Sequence, residues 1–179
     1  MIVILEGIDR VGKTTIAEEL RDKLGFKIFK KERTEPKGVT MYSSNSSEEI
    51  INYGNALGIV DIFNWDGFDN NIVVDRFHWT EAIYSKVDRK QFFPELYMKY
   101  VEDKMLEKKE KYLIIYVRPT DIKFSTRAHG SDLSEHLKEF ELKYKNCKLP
   151  KYMTTFYSKD LAVKEVKRRM EELKNVKTK

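Results

Sequence analysis

Gly7-Ile8-Asp9-Arg10-Val11-Gly12-Lys13-Thr14 places paired glycines, a lysine and a hydroxyl at the spacing GxxxxGK[ST]. Those residue types at that spacing hold phosphate. Gly7 and Gly12 allow a tight turn in which successive backbone N–H groups point inward and form a nest for phosphate oxygens. Lys13 carries a charge that reaches the β- and γ-phosphates of a nucleoside triphosphate, and the Thr14 hydroxyl is a ligand for Mg²⁺. The apolar run Ile2-Val3-Ile4-Leu5 precedes the turn and a helical pattern follows it, so the positive end of a helix adds to the nest. The expected cofactors are ATP and Mg²⁺, with Gly7, Val11, Gly12, Lys13, Thr14 and Thr15 as the nucleotide-binding set and Thr14 as a metal ligand.

A second polar pair ends another apolar run, Asn71-Ile72-Val73-Val74-Asp75-Arg76-Phe77. Ligands of open α/β sheets sit outside the carboxyl ends of the strands, which brings both side chains toward the phosphate turn. Asp75 is then the second metal ligand, direct or through water, and Arg76 a holder of the acceptor's phosphate. The alternative is an ion pair at a strand end.

Leu5-Glu6-Gly7-Ile8-Asp9-Arg10-Val11-Gly12-Lys13-Thr14-Thr15 resembles the P-loop of thymidylate kinases, E-G-[ILV]-D-x-x-G-K-[ST]-T, and Asp75-Arg76-Phe77 is similar to that family's D-R-[YFW] motif. Thr80 and Tyr84 stand where the family has serine and an aromatic residue, and Thr34-Glu35-Pro36-Lys37-Gly38 is a weaker likeness of its R-E-P-G-G segment. The resemblance implies a P-loop kinase fold, phosphorylation of a dTMP-like deoxynucleoside monophosphate, and a homodimer packed through helices. It also implies that Asp9 contacts the acceptor sugar or its neighbouring water, that Arg10 supplies transition-state charge from the P-loop, and that Arg76 holds the acceptor phosphate. Phosphoryl transfer needs such positive groups around spreading negative charge more than it needs covalent catalysis.

Arg118 to Gly130 reads as a lid, with Thr120 capping a short helix on which Lys123 and Arg127 share a face at i,i+4 spacing. The segment from about residue 120 to 132 resembles the element that closes over ATP in nucleoside monophosphate kinases, and Arg127 is its candidate for contacting the transferred phosphate. A solvated basic helix face is the other reading of the same charges. His129 and His136 have no necessary role in the transfer.

Two positions depart from the family. No lysine or arginine lies between Lys37 and Arg76, and the position at which thymidylate kinases carry a thymine-reading arginine falls near Asn55. An asparagine amide still offers a donor and an acceptor to a pyrimidine edge, but not a guanidinium. Aligning on Glu35-Pro36 puts Thr34 at the phosphate-binding arginine, with Arg33 one residue earlier as its substitute. In the aromatic cluster Phe63, Trp65, Phe68, Phe77 and Trp79, Phe63 or Trp65 is a candidate for stacking on the base, core packing being the commoner fate of such residues.

Positioning these groups requires a sheet with parallel strands. Ile2–Leu5, Ile72–Val74 and Tyr112–Val117 read as strands buried on both faces, and Phe26–Phe29 and Tyr152–Phe156 as weaker ones. Helical patterns cover Thr14–Leu24, Ser47–Phe63, Thr80–Tyr84, Phe92–Lys109, Ser131–Tyr144 and Lys159–Leu173, the last capped by Ser158. The alternation predicts an α/β three-layer fold, a five-stranded parallel sheet flanked by helices, in one domain spanning 1–179. Ser43-Ser44-Asn45-Ser46-Ser47 reads as a polar loop leading into a helix.

Composition narrows the rest. The 34 basic and 29 acidic residues leave a net charge of +5, a mild bias toward anionic partners. Cys147 is the only cysteine, so no intrachain disulfide forms, and His78, His129 and His136 lack metal-ligand spacing. The first apolar run is too short for a signal peptide and no stretch approaches the roughly 18 apolar residues of a membrane span. A cytoplasmic enzyme is expected. Two rival functions are a kinase of deoxynucleosides or of a hydroxyl on a modified base in DNA, with Glu32 as general base, and a nucleic-acid-stimulated ATPase or nucleotide switch. The second rests on Lys164, Lys167, Arg168 and Arg169, a patch interrupted by Glu165, Glu171 and Glu172.

Overall fold

The computed structural model describes residues 1–30, 46–88, 95–120 and 132–177. The apolar runs become strands β1 (Ile2–Glu6), β2 (Lys27–Lys30), β3 (Ile72–Asp75), β4 (Tyr112–Arg118) and β5 (Lys151–Thr155). They form one parallel sheet in the order β2-β3-β1-β4-β5. The central strands β1 and β4 are continuous in Val, Ile, Leu and Tyr because both of their faces are covered: every residue of β1 is buried, as is β4 from Tyr112 to Val117. Each such side chain removed from water contributes about 1.5–3 kcal/mol.

Six helices are described: α1 (Lys13–Leu24), α2 (Ser46–Asn64), α3 (His78–Val87), α4 (Glu95–Leu106), α5 (Ser134–Asn146) and α6 (Lys159–Lys177). Helix α1 packs on β1, β2 and β3 and against α6, while α2, α3, α4 and α5 form a connected layer, α2 on α4, α4 on α3 and α3 on α5. Right-handed crossovers in this strand order put those two groups on opposite faces of the sheet. The result is the three-layer α/β fold expected from the pattern. Among the described residues no helix is long and apolar enough to cross a membrane.

Differences from the sequence expectations have local causes. Helix α3 starts at His78, two residues before the expected Thr80. There the Glu6 carboxylate, at the end of β1, accepts the backbone N–H groups of Trp79 and Thr80, each at 3.0 Å, and the Thr80 hydroxyl at 2.5 Å. A carboxylate from another strand thus caps the helix, which Phe77 does not. Helix α5 starts three residues later than expected because Asp132 Oδ1 accepts both the N–H and the hydroxyl of Ser134, at 2.9 and 2.6 Å. Ser158 closes a 3₁₀ turn, Phe156–Ser158, that feeds directly into α6, and its hydroxyl accepts from Thr155 Oγ1 at 3.4 Å.

Glu6 is fully buried, and that burial raises its pKa above the usual carboxylate range against the pull of His78 and of its hydrogen bonds. Replacing it strands the donors it satisfies. Glu6→Ala is expected to lower the unfolding free energy by about 2 kcal/mol, read from the urea midpoint at unchanged slope. A loss within error of zero would show that the cap is dispensable.

Candidate functional site

In a parallel sheet all carboxyl ends face one way, so β1, β3, β4 and β5 deliver the residues after Glu6, Asp75, Arg118 and Thr155 to a single edge. The loop after β1 makes its turn through Gly7 and Gly12, with φ of 142° and 90°. A Cβ at Gly7 would collide with the Val117 carbonyl and one at Gly12 with the Phe156 ring. The glycines therefore let the loop lie against β4 on one side and the end of β5 on the other.

Arg10 and Arg76 are the described non-glycine residues with positive φ, at 62° and 73°. Left-handed backbone is costly for a long side chain, and here it occurs twice at one edge of the sheet. Arg76 is held by its N–H, which donates to Leu5 O at 3.1 Å, and by its guanidinium, which pairs with Asp9 at 2.7 Å. Asp9 in turn donates its backbone N–H to the Tyr84 hydroxyl at 3.0 Å. The phosphate turn and the Asp75-Arg76 turn are thus one assembly.

Lys13 is almost wholly buried and donates from Nζ to Gly7 O at 2.7 Å and Ile8 O at 2.5 Å. Its ammonium bridges the loop's own carbonyls, beneath the place where the motif expects phosphate. Burial, reinforced by the Arg76 charge, lowers its pKa to about 8. Thr14 Oγ1 donates to Asp75 Oδ2 at 2.7 Å, so the two residues expected to hold a metal ion touch. Asp75 is 2% exposed, and its Oδ1 has no hydrogen-bond partner among the described residues. A buried carboxylate oxygen left unsatisfied beside a hydroxyl is a donor set that fits a hard cation such as Mg²⁺.

A cavity of about 500 Å³ opens over this assembly. Arg10, Val11, Gly12, Lys13, Thr14 and Thr15 line one side, Arg76 another, and Arg118, Pro119, Thr120, Phe156 and Tyr157 the far wall. A smaller cavity of about 240 Å³, floored by Met98, Glu102 and Cys147 among α3, α4 and α5, contains none of these residues. The larger one combines a glycine turn, clustered cations and aromatic rings, the groups that take phosphates at one end and a flat base at the other.

The structure brings together Gly7, Asp9, Arg10, Val11, Gly12, Lys13, Thr14, Thr15, Asp75, Arg76 and Tyr84. It does not bring Phe63 there. Phe63 is 4% exposed and packs against Phe68, and its neighbour Asn64 accepts from the Tyr112 hydroxyl at the start of β4. That is the amino edge of the sheet, opposite the cavity, so Phe63 is a core residue and not a base-stacking one. Trp65 lies at that same end, 67% exposed. Asn55 is exposed on α2 and is not part of the cavity wall. Arg33, Glu32, Lys123, Arg127 and His129 lie outside the described residues. Sequence reasoning missed the Glu6 cap and the place of Arg118, Phe156 and Tyr157 in the cavity wall. Glu6 was detectable as a charged residue ending an apolar strand, as Asp75 is in β3, whereas Phe156 and Tyr157 read only as the tail of a strand.

No family model matches the chain. Over 135 residues it is 27% identical to the SPbeta prophage-derived protein YorR of Bacillus subtilis (strain 168), a match covering 75% of this chain and 72% of that one. The crystal structure of YorR in complex with phosphorylated GDP superposes with a TM-score of 0.69 at 24% identity, over 96% of each chain. Deoxyadenosine kinase from M. mycoides with bound dATP gives 0.51 at 21% identity over the whole of both chains. Thymidylate kinase from Candida albicans gives 0.57 at 16% identity, covering 97% of this chain and 92% of that one. The chain has the α/β P-loop kinase fold of these structures.

Lys13 sets a pH dependence for any polyphosphate held here. The free protein's ammonium titrates near 8 and an adjacent anion raises that value, so binding takes up a proton and affinity falls as pH rises beyond about 8. The slope approaches about tenfold per pH unit until the bound-state pKa is passed. Calorimetric titration of tripolyphosphate between pH 7 and 10 checks this, and Lys13→Met should abolish the slope as well as most of the binding.

Proposed function

We propose that the chain is a nucleotide kinase that transfers the γ-phosphoryl group of ATP to the phosphate of a deoxynucleoside monophosphate of the dTMP type. The observation that carries this reading is Arg76. It is a strained, two-thirds-buried guanidinium pinned by Asp9 at 2.7 Å, and it lines the same cavity as the phosphate turn. A monophosphate acceptor brings that cation an anion of its own, which a nucleoside acceptor lacks. Nucleotides bound in similar folds, phosphorylated GDP in YorR and dATP in the M. mycoides enzyme, support a nucleotide in this one.

In the transfer, an oxygen of the acceptor phosphate forms a bond to the γ-phosphorus as the bond from that phosphorus to the β–γ bridging oxygen breaks, leaving ADP and the nucleoside diphosphate. The backbone N–H groups of Arg10 to Thr15 cradle the donor phosphates, and Lys13 lies beneath them. Arg10 and Arg76 flank the phosphoryl group from the P-loop and from β3, where its equatorial oxygens gather charge. Thr14 and Asp75 are the residues that would hold Mg²⁺, which when bound neutralises charge on the β- and γ-oxygens. Phe156, Tyr157 and Arg118 offer flat and cationic faces to the donor base. Tyr84, buried against Asp9, bounds the acceptor side. Its burial holds the phenol above its usual pKa, so it stays a neutral hydroxyl through the physiological range.

A deoxynucleoside kinase is the second reading, favoured by the likeness to the M. mycoides enzyme. It needs a general base for a neutral hydroxyl, a role for which Glu32 is the candidate. A coupled assay with Mg-ATP across dTMP, dUMP, dGMP and their parent nucleosides separates the two. Turnover of a monophosphate, falling about a hundredfold in kcat/KM in Arg76→Ala and little changed in Glu32→Gln, is expected. Turnover of nucleosides alone, abolished by Glu32→Gln, would replace the first reading with the second.

A further inference from the structure

His136 had no function in the sequence pattern, yet it occupies a particular place. It lies in the first turn of α5, 2% exposed, its ring packed against that of Tyr84 with centroids 4.6 Å apart and planes tilted by 51°. Its Nε2 is 2.8 Å from Asp88 Oδ1, at the carboxyl end of α3. Tyr84 is itself 4% exposed and takes the Asp9 N–H on its hydroxyl at 3.0 Å, and Asp9 holds Arg76 at 2.7 Å. These contacts form one line from α5 to the acceptor side of the cavity. Tyr84 is fixed in it at both ends, by His136 against its ring and by Asp9 at its hydroxyl.

The hydrogen bond from Asp9 has a further meaning. In a phosphate nest the N–H groups converge on the anion, but the Asp9 N–H is directed away, to Tyr84. The cavity wall starts at Arg10. Asp9 is therefore the point at which the loop is anchored to α3, and the angle of its carboxylate toward Arg76 depends on where Tyr84 stands. Tyr84 rotates unless something fills the space behind its ring. The group that does so is His136, whose Nε2 lies beside Asp88 Oδ1.

We propose that His136 is a positioning residue: by backing Tyr84 it fixes Asp9 and, through it, Arg76, and so sets affinity for the acceptor phosphate without touching either substrate. The inference rests on the kinase reading for its kinetic consequence but not for its structural one. A residue acting only on stability would change the amount of active enzyme and leave both KM values alone.

The test uses the full chain as His136→Ala, His136→Phe, Tyr84→Phe and the His136→Ala/Tyr84→Phe double variant. His136→Ala and Tyr84→Phe are each expected to raise KM for the monophosphate about tenfold while KM for ATP stays within about twofold. The double variant should be no worse than either single one, since both act through one hydroxyl. His136→Phe, which keeps a ring behind Tyr84, should stay near wild type and guards against a folding failure of the alanine variant. Multiplying effects in the double variant, or a His136→Phe as impaired as His136→Ala, overturns the proposal. Independently of turnover, the backbone amide signal of Asp9 in ¹⁵N-labelled protein should move in His136→Ala in the same direction as in Tyr84→Phe. An unmoved Asp9 signal overturns the link even in an active enzyme. Absence of turnover with every monophosphate would instead reject the kinase reading and leave this measurement to decide.

Discussion

The geometry of the site depends on one buried carboxylate. Glu6 ends β1, and its two oxygens take the first free N–H groups of α3 and the Thr80 hydroxyl. Those donors are among the four that every helix leaves unmatched at its amino end, and burying them without acceptors would cost several kcal/mol in all. Because Glu6 is the residue immediately before Gly7, the same contact fixes the phosphate loop relative to the Asp75-Arg76 turn that precedes α3. Two segments about 70 residues apart in sequence are thereby joined before any side chain of the site is considered.

The cap explains why strain is tolerable where it occurs. Arg10 and Arg76 adopt left-handed backbone at a cost on the order of 1 kcal/mol each, and neither has the short polar side chain that offsets it. For Arg76 the compensation is visible: its N–H closes onto Leu5 O, its carboxyl-side neighbours enter a capped helix, and its guanidinium finds Asp9. The strained turn points a cation into the cavity, where an extended residue would carry it along the strand. Gly12 serves the same end differently, by admitting the Phe156 ring against the loop.

The sheet, its parallel direction and the phosphate loop were legible because their signals are local and periodic. β1, β3 and β4 are apolar runs that only two-sided burial explains, and GxxxxGK[ST] carries its chemistry in its own spacing. Asp75 and Arg76 followed from a general property of parallel sheets. Phe63 did not follow, since an aromatic near a helix end looks the same in sequence whether it faces the ligand edge or the opposite one; only the direction of α2 across the sheet distinguishes them. His136 and the early start of α3 were hidden for a related reason. Each depends on a partner from a distant part of the chain, Tyr84 in one case and Glu6 in the other, and no spacing rule links those positions.

The described structure satisfies most of the site's charges with protein groups: Lys13 on two carbonyls, Arg76 on Asp9, Asp75 Oδ2 on Thr14. Such satisfaction keeps cations and a carboxylate in place within a partly buried edge, where unpaired charges would repel one another or lose their protons. It also sets what a ligand must exchange. Lys13 gives up neutral carbonyl partners, a weaker hold than a phosphate offers, and its lowered pKa shows that the ammonium is not fully compensated there. Arg76 instead gives up part of a charged pair, and its guanidinium has donors enough to keep Asp9 while taking an anion on its other edge. On the proposed reading, the donor side of the cavity gains by replacement and the acceptor side by addition. An acceptor phosphate that had to displace Asp9 would lose most of what Arg76 offers it. On that reading Asp9, its N–H held on the Tyr84 hydroxyl, keeps its carboxylate on Arg76 while the acceptor binds.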